Sequence, residues 1–283
     1  MTIDNVSDTA RWVATYRAME SERPDALFHD PFARRLAGAK GDEIVNTIKQ
    51  GRSMAWAMIV RTQVIDEIIR AEITGDRIDL VLNLAAGLDA RPWRMELPHS
   101  LHWVDVDLPD ILRYKLETLR GVPTRCSYEA VEADLRDAAV RRALFARVGA
   151  RTQRALVVTE GLLIYLGDEA VAALASDLHA VPTFARWIID IASPRLLKMM
   201  SKSWGKSVAA GNAPFRFAPA SGTDFFRPYG WRELEFHSTM LEAKRLNRRM
   251  KGAALWEVVG RLYPRRMREE FRRLSGTVLL ERT

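Results

Sequence analysis

From residue 77 onward, short apolar runs alternate with helical segments, and this alternation limits the possible folds of the chain more than any other feature. The apolar runs cover residues 80–85, 101–107, 128–131, 155–160 and 184–191, and the helical segments cover 109–119, 138–148 and 168–180. Apolar runs buried on both faces are typical of parallel strands, which need helical crossovers to connect them. The pattern predicts a doubly wound α/β sheet.

The two ends of the chain follow other patterns. Residues 1–76 are predicted to be helical, with Ser7 or Thr9 capping a helix over 10–20 and Gly51 interrupting a helical stretch over 42–73. Residues 193–229 break the alternation and indicate an insertion after the fifth strand. Two last strands, 231–236 and 276–282, favour a mixed sheet edge with an antiparallel final strand.

The length of 283 residues is that of one large domain. We divide it into N-terminal helices that form a lid (1–76), a cofactor-binding core (77–192), a substrate-lid insertion (193–230), and closing strands with basic helices (231–283). No apolar run is long enough to span a bilayer, no signal peptide is visible, and Cys126 has no cysteine partner. We therefore expect a cytoplasmic protein with no membrane partner; the oligomeric state stays open.

Positive charge is concentrated near the C-terminus. The net charge is +7, and residues 240–275 contain eleven Lys or Arg against four acids. Apolar residues recur among them at helical spacing, for example Leu255, Val258, Val259 and Leu262. The simplest interpretation is an amphipathic helix pair with a solvated basic face. Binding to tRNA is the alternative, but the segment has no basic platform interleaved with aromatic residues.

Polar residues at the strand ends are the candidate binding site, because ligands of open α/β sheets bind there. The first strand ends in small residues, Ala86 and Gly87, that let a ligand approach the backbone, although a plain turn would look the same. Asp107 follows Gly87 by 20 residues, the usual spacing for a carboxylate that binds a ribose diol. The alternative role for Asp107 is to cap the next helix.

Two more acidic positions complete the pattern. Asp134, beside Leu135, ends the third strand and could accept a hydrogen bond from an adenine amine, or simply lie in a polar loop. Glu160 ends the fourth strand within an apolar run, where a carboxylate needs a cationic partner such as an ammonium group; the alternative is a structural salt bridge to a basic side chain. A nucleoside with a cationic amino-acid tail would satisfy all these positions. The lack of a phosphate cradle disfavours NAD and ATP.

Four motifs, in order, resemble those of the leucine carboxyl methyltransferase family. They are LNLAAGLDARPWR, VDVDLPD, EADLRD and TEGLLIYL. The chain is most similar to the bacterial branch, which includes carboxyl O-methyltransferases of polyketide pathways. This resemblance implies a Rossmann-like class I methyltransferase with a seven-stranded, mostly parallel sheet, and S-adenosyl-L-methionine as the cofactor.

The resemblance also implies roles for individual residues. Arg61 would meet the cofactor carboxylate, with Arg17 nearby, and Gly87 would form the turn beneath the methionine part. Asp107 would bind the ribose, Asp134 and Leu135 the adenine, and Glu160 the methionine end. The chain departs from the family at Ala90, where Thr or Ser is common, so one hydroxyl contact is missing.

The residue set bears on the reaction as well. A carboxylate acceptor is already ionised and needs no general base, whereas a phenol or alcohol would. Convincing bases are scarce: His29 is expected in a loop, and Tyr16 and Tyr165 could orient an acceptor but are poor bases. We expect no metal. The prediction is methylation of a small polyketide-like or lipid-like acid; the alternatives are a macromolecular acceptor (a protein C-terminal carboxylate or tRNA) and a non-catalytic cofactor-binding protein.

The insertion supplies the expected acceptor lining. Its members are apolar and adaptable, although several of them could instead belong to the core. They are Met199, Met200, Trp204, Phe215, Phe217, Phe225 and Phe226.

Overall fold

The computed structural model describes residues 6–47, 51, 54–75, 77–210, 214–250, 252 and 263–283. Seven strands lie in these ranges: β1 (Leu80–Leu84), β2 (His102–Asp107), β3 (Ser127–Glu132), β4 (Ala155–Thr159), β5 (Phe184–Ala192), β6 (Trp231–Ser238) and β7 (Ser275–Arg282). They form one sheet in the order β3-β2-β1-β4-β5-β7-β6. The predicted strand positions are confirmed to within a few residues.

Helices connect and cover the strands. They are α1 (Val6–Ser21), α2 (Ala33–Thr47), α3 (Ala55–Gly75), α4 (Arg91–Arg94), α5 (Pro109–Thr118), α6 (Ala138–Gly149), α7 (Asp168–His179), α8 (Pro194–Ala210), α9 (Thr239–Arg245) and α10 (Arg265–Arg272). Two 3₁₀ segments, Leu163–Tyr165 and Gly222–Tyr229, complete the described elements. None of the helices in the described part of the chain has the length and apolar character needed to cross a bilayer.

The sheet is parallel from β3 to β5 and antiparallel where β7 joins. β7 pairs with β5 on one side and with β6 on the other, antiparallel in both cases. The returning strand therefore lies inside the sheet and β6 forms the edge, because the chain leaves β5, builds β6 one position out, and returns through the gap. The order reverses between β1 and β4, and this switch point is where ligands of such sheets bind.

Both faces of the sheet are covered by apolar side chains, as the sequence pattern predicted. Every residue of β1 and of β4 is buried. One core packs α6, α7 and the 3₁₀ segments against the sheet, and a second core packs α3 and α9 against the other face. Burial of this kind supplies about 25 cal/mol per Å² of apolar surface removed from water.

Of the predictions about the two ends of the chain, one needs correction, one is confirmed, and one lies in part outside the described residues. Ser7 and Thr9 lie within α1, which already begins at Val6, so neither caps that helix. Gly51 does lie between α2 and α3, as predicted. Of the basic C-terminal segment, α9 and α10 are described, whereas residues 253–262, with Leu255, Val258, Val259 and Leu262, lie outside the described residues.

Candidate functional site

A cavity of about 970 Å³ lies at the carboxyl ends of the parallel strands. Its floor runs from Asp107 at the end of β2, across the turn after β1, past Glu160 after β4 to Asp190 in β5 and Thr277 in β7. Helices α1, α3, α8 and α9 contribute the remaining walls. The volume is at the upper end of the range for one drug-sized ligand, which fits a cofactor and an acceptor side by side.

The turn after β1 is tied to Asp107. The Gly87 amide donates to Asp107 Oδ2 at 2.6 Å, and the Leu108 amide donates to Oδ1 at 2.7 Å. Gly87 has φ of +50°, and a Cβ there would lie 3.1 Å from the Ala10 side chain, so this position favours glycine. Burial raises the pKa of Asp107 above its ordinary value, against the two amide hydrogen bonds. Each carboxylate oxygen keeps a second lone pair for a ligand hydroxyl.

Asp105, on the same strand as Asp107, has a structural role. It is fully buried and accepts hydrogen bonds from Lys115 Nζ at 2.7 Å, Trp103 Nε1 at 2.8 Å, and the Asn83 and Tyr128 side chains at 2.9 Å. These donors use its lone pairs and compensate its charge. Asp105 therefore supports the turn from below, and Asp107 is the acid of β2 that lines the cavity.

Glu160 lies between two arginines. Arg61 Nε donates to Glu160 Oε1 at 3.0 Å, and Arg91 donates to Oε2 at 2.8 Å. Burial alone would raise the pKa of Glu160, but the two guanidinium groups hold this pKa below its ordinary value. A carboxylate ionised at neutral pH and open to the cavity can bind an ammonium group. The alternative, a structural salt bridge to a basic side chain, is also compatible with this structure, because both arginines pair with Glu160.

Asp190 completes this cluster, although it was not among the predicted site residues. It accepts from the Gly161 amide at 2.6 Å and from Arg61 at 3.1 Å. Gly161 has φ of +67° and would place a Cβ 3.4 Å from the Arg61 guanidinium, so this turn after β4 is close-packed. The rule that located Glu160, a polar residue near a strand's carboxyl end, applies equally to Asp190.

A buried ionic network supports the cluster from behind. Arg91 also donates to Asp66 at 2.6 Å and to Asp89 at 2.7 Å, and Arg94 donates to Asp66 at 2.6 Å and 2.8 Å. Burial acts against ionisation of Asp89, yet Arg91 and Arg94 lower its pKa to about 2. Asp89 also accepts from the Arg91 amide at 2.9 Å. That bond covers the start of α4, where Ala90 makes no side-chain cap.

Arg17 lines the same cavity as the Glu160 cluster, and its role at the cofactor carboxylate stays a prediction. Its Nε donates to Asp30 at 2.8 Å, and a second nitrogen donates to the Leu88 carbonyl at 2.6 Å. Arg17 is buried and lines the cavity. It therefore connects α1 directly to the turn after β1.

Asp134 and Leu135 follow β3 and are not among the residues that line the cavity. Arg136 donates to the Asp134 carboxylate at 2.9 Å and 2.7 Å, and this hydrogen bonding lowers the pKa of Asp134. The Ala133 amide donates to the Asp107 carbonyl at 3.0 Å, so the loop borders the site. Their adenine role stays a prediction.

The other half of the cavity is apolar. Met199, Met200, Phe215 and Phe217 line it as predicted, together with Trp12 and Met58 from the N-terminal helices. Phe225 and Phe226 do not line it: Phe226 is buried in the core and Phe225 packs against that core. This corrects their predicted role. The side chain of Trp204 lies outside the described residues.

The two tyrosines and the histidine are placed as follows. Tyr16 is buried, donates to the Gly51 carbonyl at 2.5 Å, and has its pKa raised to about 12 by burial. Tyr165 stacks on Phe215 with ring centroids 5.8 Å apart, and burial raises its pKa too. Both line the cavity and neither is a base at neutral pH. His29 is an exposed loop residue outside the lining, as predicted.

The half of the cavity that contains Asp107, Glu160 and Asp190 fits S-adenosyl-L-methionine, and we call it the cofactor half. Asp107 offers two acceptor oxygens at the turn after β1, and Glu160 with Asp190 offers carboxylates beside Arg61. These carboxylates suit the hydroxyls of a ribose diol at one end and an amino-acid group, beside Arg61, at the other. No group of three or more His, Cys, Asp or Glu residues suited to a metal ion occurs in the described ranges.

Comparison with known proteins shows which family the chain belongs to. The family model described as leucine carboxyl methyltransferase matches residues 10–179. A proposed S-adenosyl-L-methionine-dependent methyltransferase of Mycolicibacterium gilvum is 30% identical over 80% of this chain and 82% of its own length. One from Mycolicibacterium smegmatis is 34% identical over 62% of this chain, and the match spans 63% of that relative, less than two thirds of its length.

Solved structures show the same fold. A DUF574 family protein from Streptomyces avermitilis aligns over 97% of both chains with a TM-score of 0.62 and 13% identity. A proposed methyltransferase from Thermobifida fusca covers all of this chain and 96% of its own, with a TM-score of 0.59 and 14% identity. The chain has the α/β methyltransferase fold and belongs to the leucine carboxyl methyltransferase family.

Proposed function

We propose that this protein is an S-adenosyl-L-methionine-dependent O-methyltransferase that methylates the carboxylate of a small organic acid with an apolar body, such as a polyketide-like or lipid-like acid. The observation that carries the proposal is the acceptor half of the cavity, which is apolar and offers no base among the described lining residues. None of the described lining residues is a histidine, and the tyrosines of the lining have raised pKa values. A carboxylate acceptor needs no base.

When bound, S-adenosyl-L-methionine supplies an electrophilic methyl group. The chain's own residues then have three tasks: to bind the two reactants, to align them, and to exclude water. Asp107 and Glu160 bind the cofactor, and the apolar walls from α1, α3 and α8 hold the body of the acid. Removal of water from both reactants favours the in-line displacement.

Positive charge in the cavity assists binding of an acid. Arg17, Arg61 and Arg91 are each paired with carboxylates of the chain, whereas Lys202 is an exposed cation of the lining with no ion pair to the described residues. Long-range attraction of this kind raises the rate of encounter with an anion.

Much of the basic C-terminal segment pairs within the chain. Arg245 pairs with Glu67, Arg248 with Glu20 and Arg273 with Glu233. Charges satisfied in this way contribute little to binding of a phosphate backbone. This supports a small-molecule acceptor rather than tRNA.

The test is transfer of a radiolabelled methyl group from S-adenosyl-L-methionine to three acceptor classes: a panel of aliphatic and aromatic acids, bulk tRNA, and peptides with a free C-terminus. We expect base-labile methyl ester on one or more acids only. Asp107→Asn is the inactive control. Label in tRNA or peptide alone would overturn the acceptor class. Cofactor binding with no transfer to any class would favour the non-catalytic alternative.

A further inference from the structure

A buried ion pair joins the N-terminal helices to the segment after α9. Arg248 donates to Glu20 Oε1 at 2.8 Å and to Oε2 at 3.0 Å, and to Asp25 Oδ2 at 3.1 Å. The Glu20 side chain is fully buried and Arg248 is 7% exposed. The Leu27 amide also donates to Glu20, at 2.8 Å. Glu20 therefore has all the partners that a buried carboxylate needs.

The backbone is bent to place Arg248 there. Asn247, two residues after the end of α9, has φ of +53°, a left-handed conformation that asparagine tolerates better than most residues. The Arg248 amide then donates to the Ala243 carbonyl at 2.8 Å. This turn ends α9 and directs the chain toward α1.

The ion pair lies where two walls of the cavity meet. On one side, Trp12, Tyr16 and Arg17 of α1 line the cavity, within eight residues of Glu20. On the other side, Met240 and Ala243 of α9 and then Arg249 and Met250 line it. In sequence, Arg248 lies between the lining residues Ala243 and Arg249. Its ion pair with Glu20 joins this wall to α1.

We infer that Arg248 and Glu20 are positioning residues that set the width of the acceptor half of the cavity. Neither lines the cavity itself. The planar guanidinium binds both carboxylate oxygens and so fixes the orientation of α1 relative to α9 as well as their distance. The cofactor half rests mainly on the sheet and on the turn after β1. The contact of α1 with this turn is held by Arg17, whose carboxylate partner is Asp30 and not Glu20. This inference goes beyond the proposed function, because it concerns cavity geometry whatever the acceptor is.

The experiment compares two affinities in the same variants. S-adenosylhomocysteine, measured by calorimetry, reports the cofactor half. Dansylundecanoic acid, a fluorescent acid with an apolar chain, reports the acceptor half when added to the protein saturated with S-adenosylhomocysteine. For Arg248→Lys, which keeps the charge but loses the planar fork, we expect the dansyl acid to bind about tenfold more weakly. The affinity for S-adenosylhomocysteine should stay within about threefold.

A second variant guards against loss of folding. Glu20→Leu combined with Arg248→Met removes both charges together, which spares the cost of one unpaired buried charge. It should fold and bind S-adenosylhomocysteine, yet bind the dansyl acid as weakly as Arg248→Lys. Hydrogen exchange should rise in peptides from α1 and 239–250. Arg186→Lys, in a partly buried pair with Glu72 and Glu281 outside the cavity, is the matched control and should change neither affinity.

Three results would overturn the inference. They are equal losses of both affinities in Arg248→Lys, unchanged affinity for the dansyl acid in both variants, and failure of the unaltered protein to bind the dansyl acid while exchange in α1 stays the same in the variants. Failure of the proposed function is distinct, because it would appear in the methyl-transfer assay, as label in tRNA or peptide alone or as no transfer at all, with both probes still bound.

Discussion

At the scale of single residues, Asp107 has the most specific task. Its two oxygens hold the Gly87 and Leu108 amides and can still accept from a ribose diol. For Asp107→Asn, one acceptor oxygen becomes a donor facing a backbone amide, so we expect S-adenosylhomocysteine to bind at least tenfold more weakly, at about 1.5–3 kcal/mol for a hydrogen bond to a charged group. Calorimetry measures this affinity.

The control is Asp110→Asn, in the first turn of α5 and outside the cavity. If Asp107→Asn bound S-adenosylhomocysteine with an affinity within about threefold of the unaltered protein, the ribose assignment would be refuted.

The raised pKa of Asp107 predicts a pH dependence. Burial raises this pKa above the ordinary value of 3.8, so the protonated form appears at higher pH than in an exposed aspartate. Only the ionised carboxylate accepts from both ribose hydroxyls. Affinity for S-adenosylhomocysteine should therefore fall as the pH is lowered, starting above the range of an ordinary aspartate. In a calorimetric pH series, Asp107→Asn should show a flatter profile; parallel profiles would contradict this explanation.

At the scale of elements, the contact of α3 with α4 depends on Asp66. This carboxylate is fully buried and holds both Arg91 and Arg94. Asp66→Ala leaves two buried cations short of a partner, so we expect a loss of about 3–5 kcal/mol in the free energy of unfolding, measured by urea denaturation. Glu22→Gln, in an exposed pair with Arg34, should cost less than about 1 kcal/mol. Equal losses in the two variants would show that the network is not critical.

At the scale of the whole molecule, the cavity is built from both ends of the chain and from the sheet between them. A ligand that binds only the folded state stabilises all of these parts together. At about 100 times its Kd, S-adenosylhomocysteine should raise the free energy of unfolding by about 2.7 kcal/mol. For a chain of this size, that raises the melting temperature by roughly 5 °C. Calorimetric scans with and without ligand test this, and an unchanged melting temperature in the unaltered protein would count against cofactor binding at this site.

The sequence was informative wherever a residue's role depends on its position along one strand. Asp107 and Glu160 were identified because polar residues end apolar runs, and the structure places both in the cavity. The cap assigned to Ser7 or Thr9 was wrong, because favourable capping residues also occur inside helices. The cavity-lining role predicted for Phe226 was wrong for another reason, because an aromatic residue in an insertion is equally suited to a core or a cavity.

The sequence by itself determined the alternating fold, its family, and the acidic strand ends that meet at one edge of the sheet, because each depends on local periodicity or short motifs. Only the tertiary structure decided that β7 inserts between β5 and β6, that Asp190 and Arg91 join Glu160, and that Arg248 reaches Glu20 from 228 residues away. These contacts follow from packing between distant segments. The spacing of residues along the chain does not show which charged side chain will pair with which.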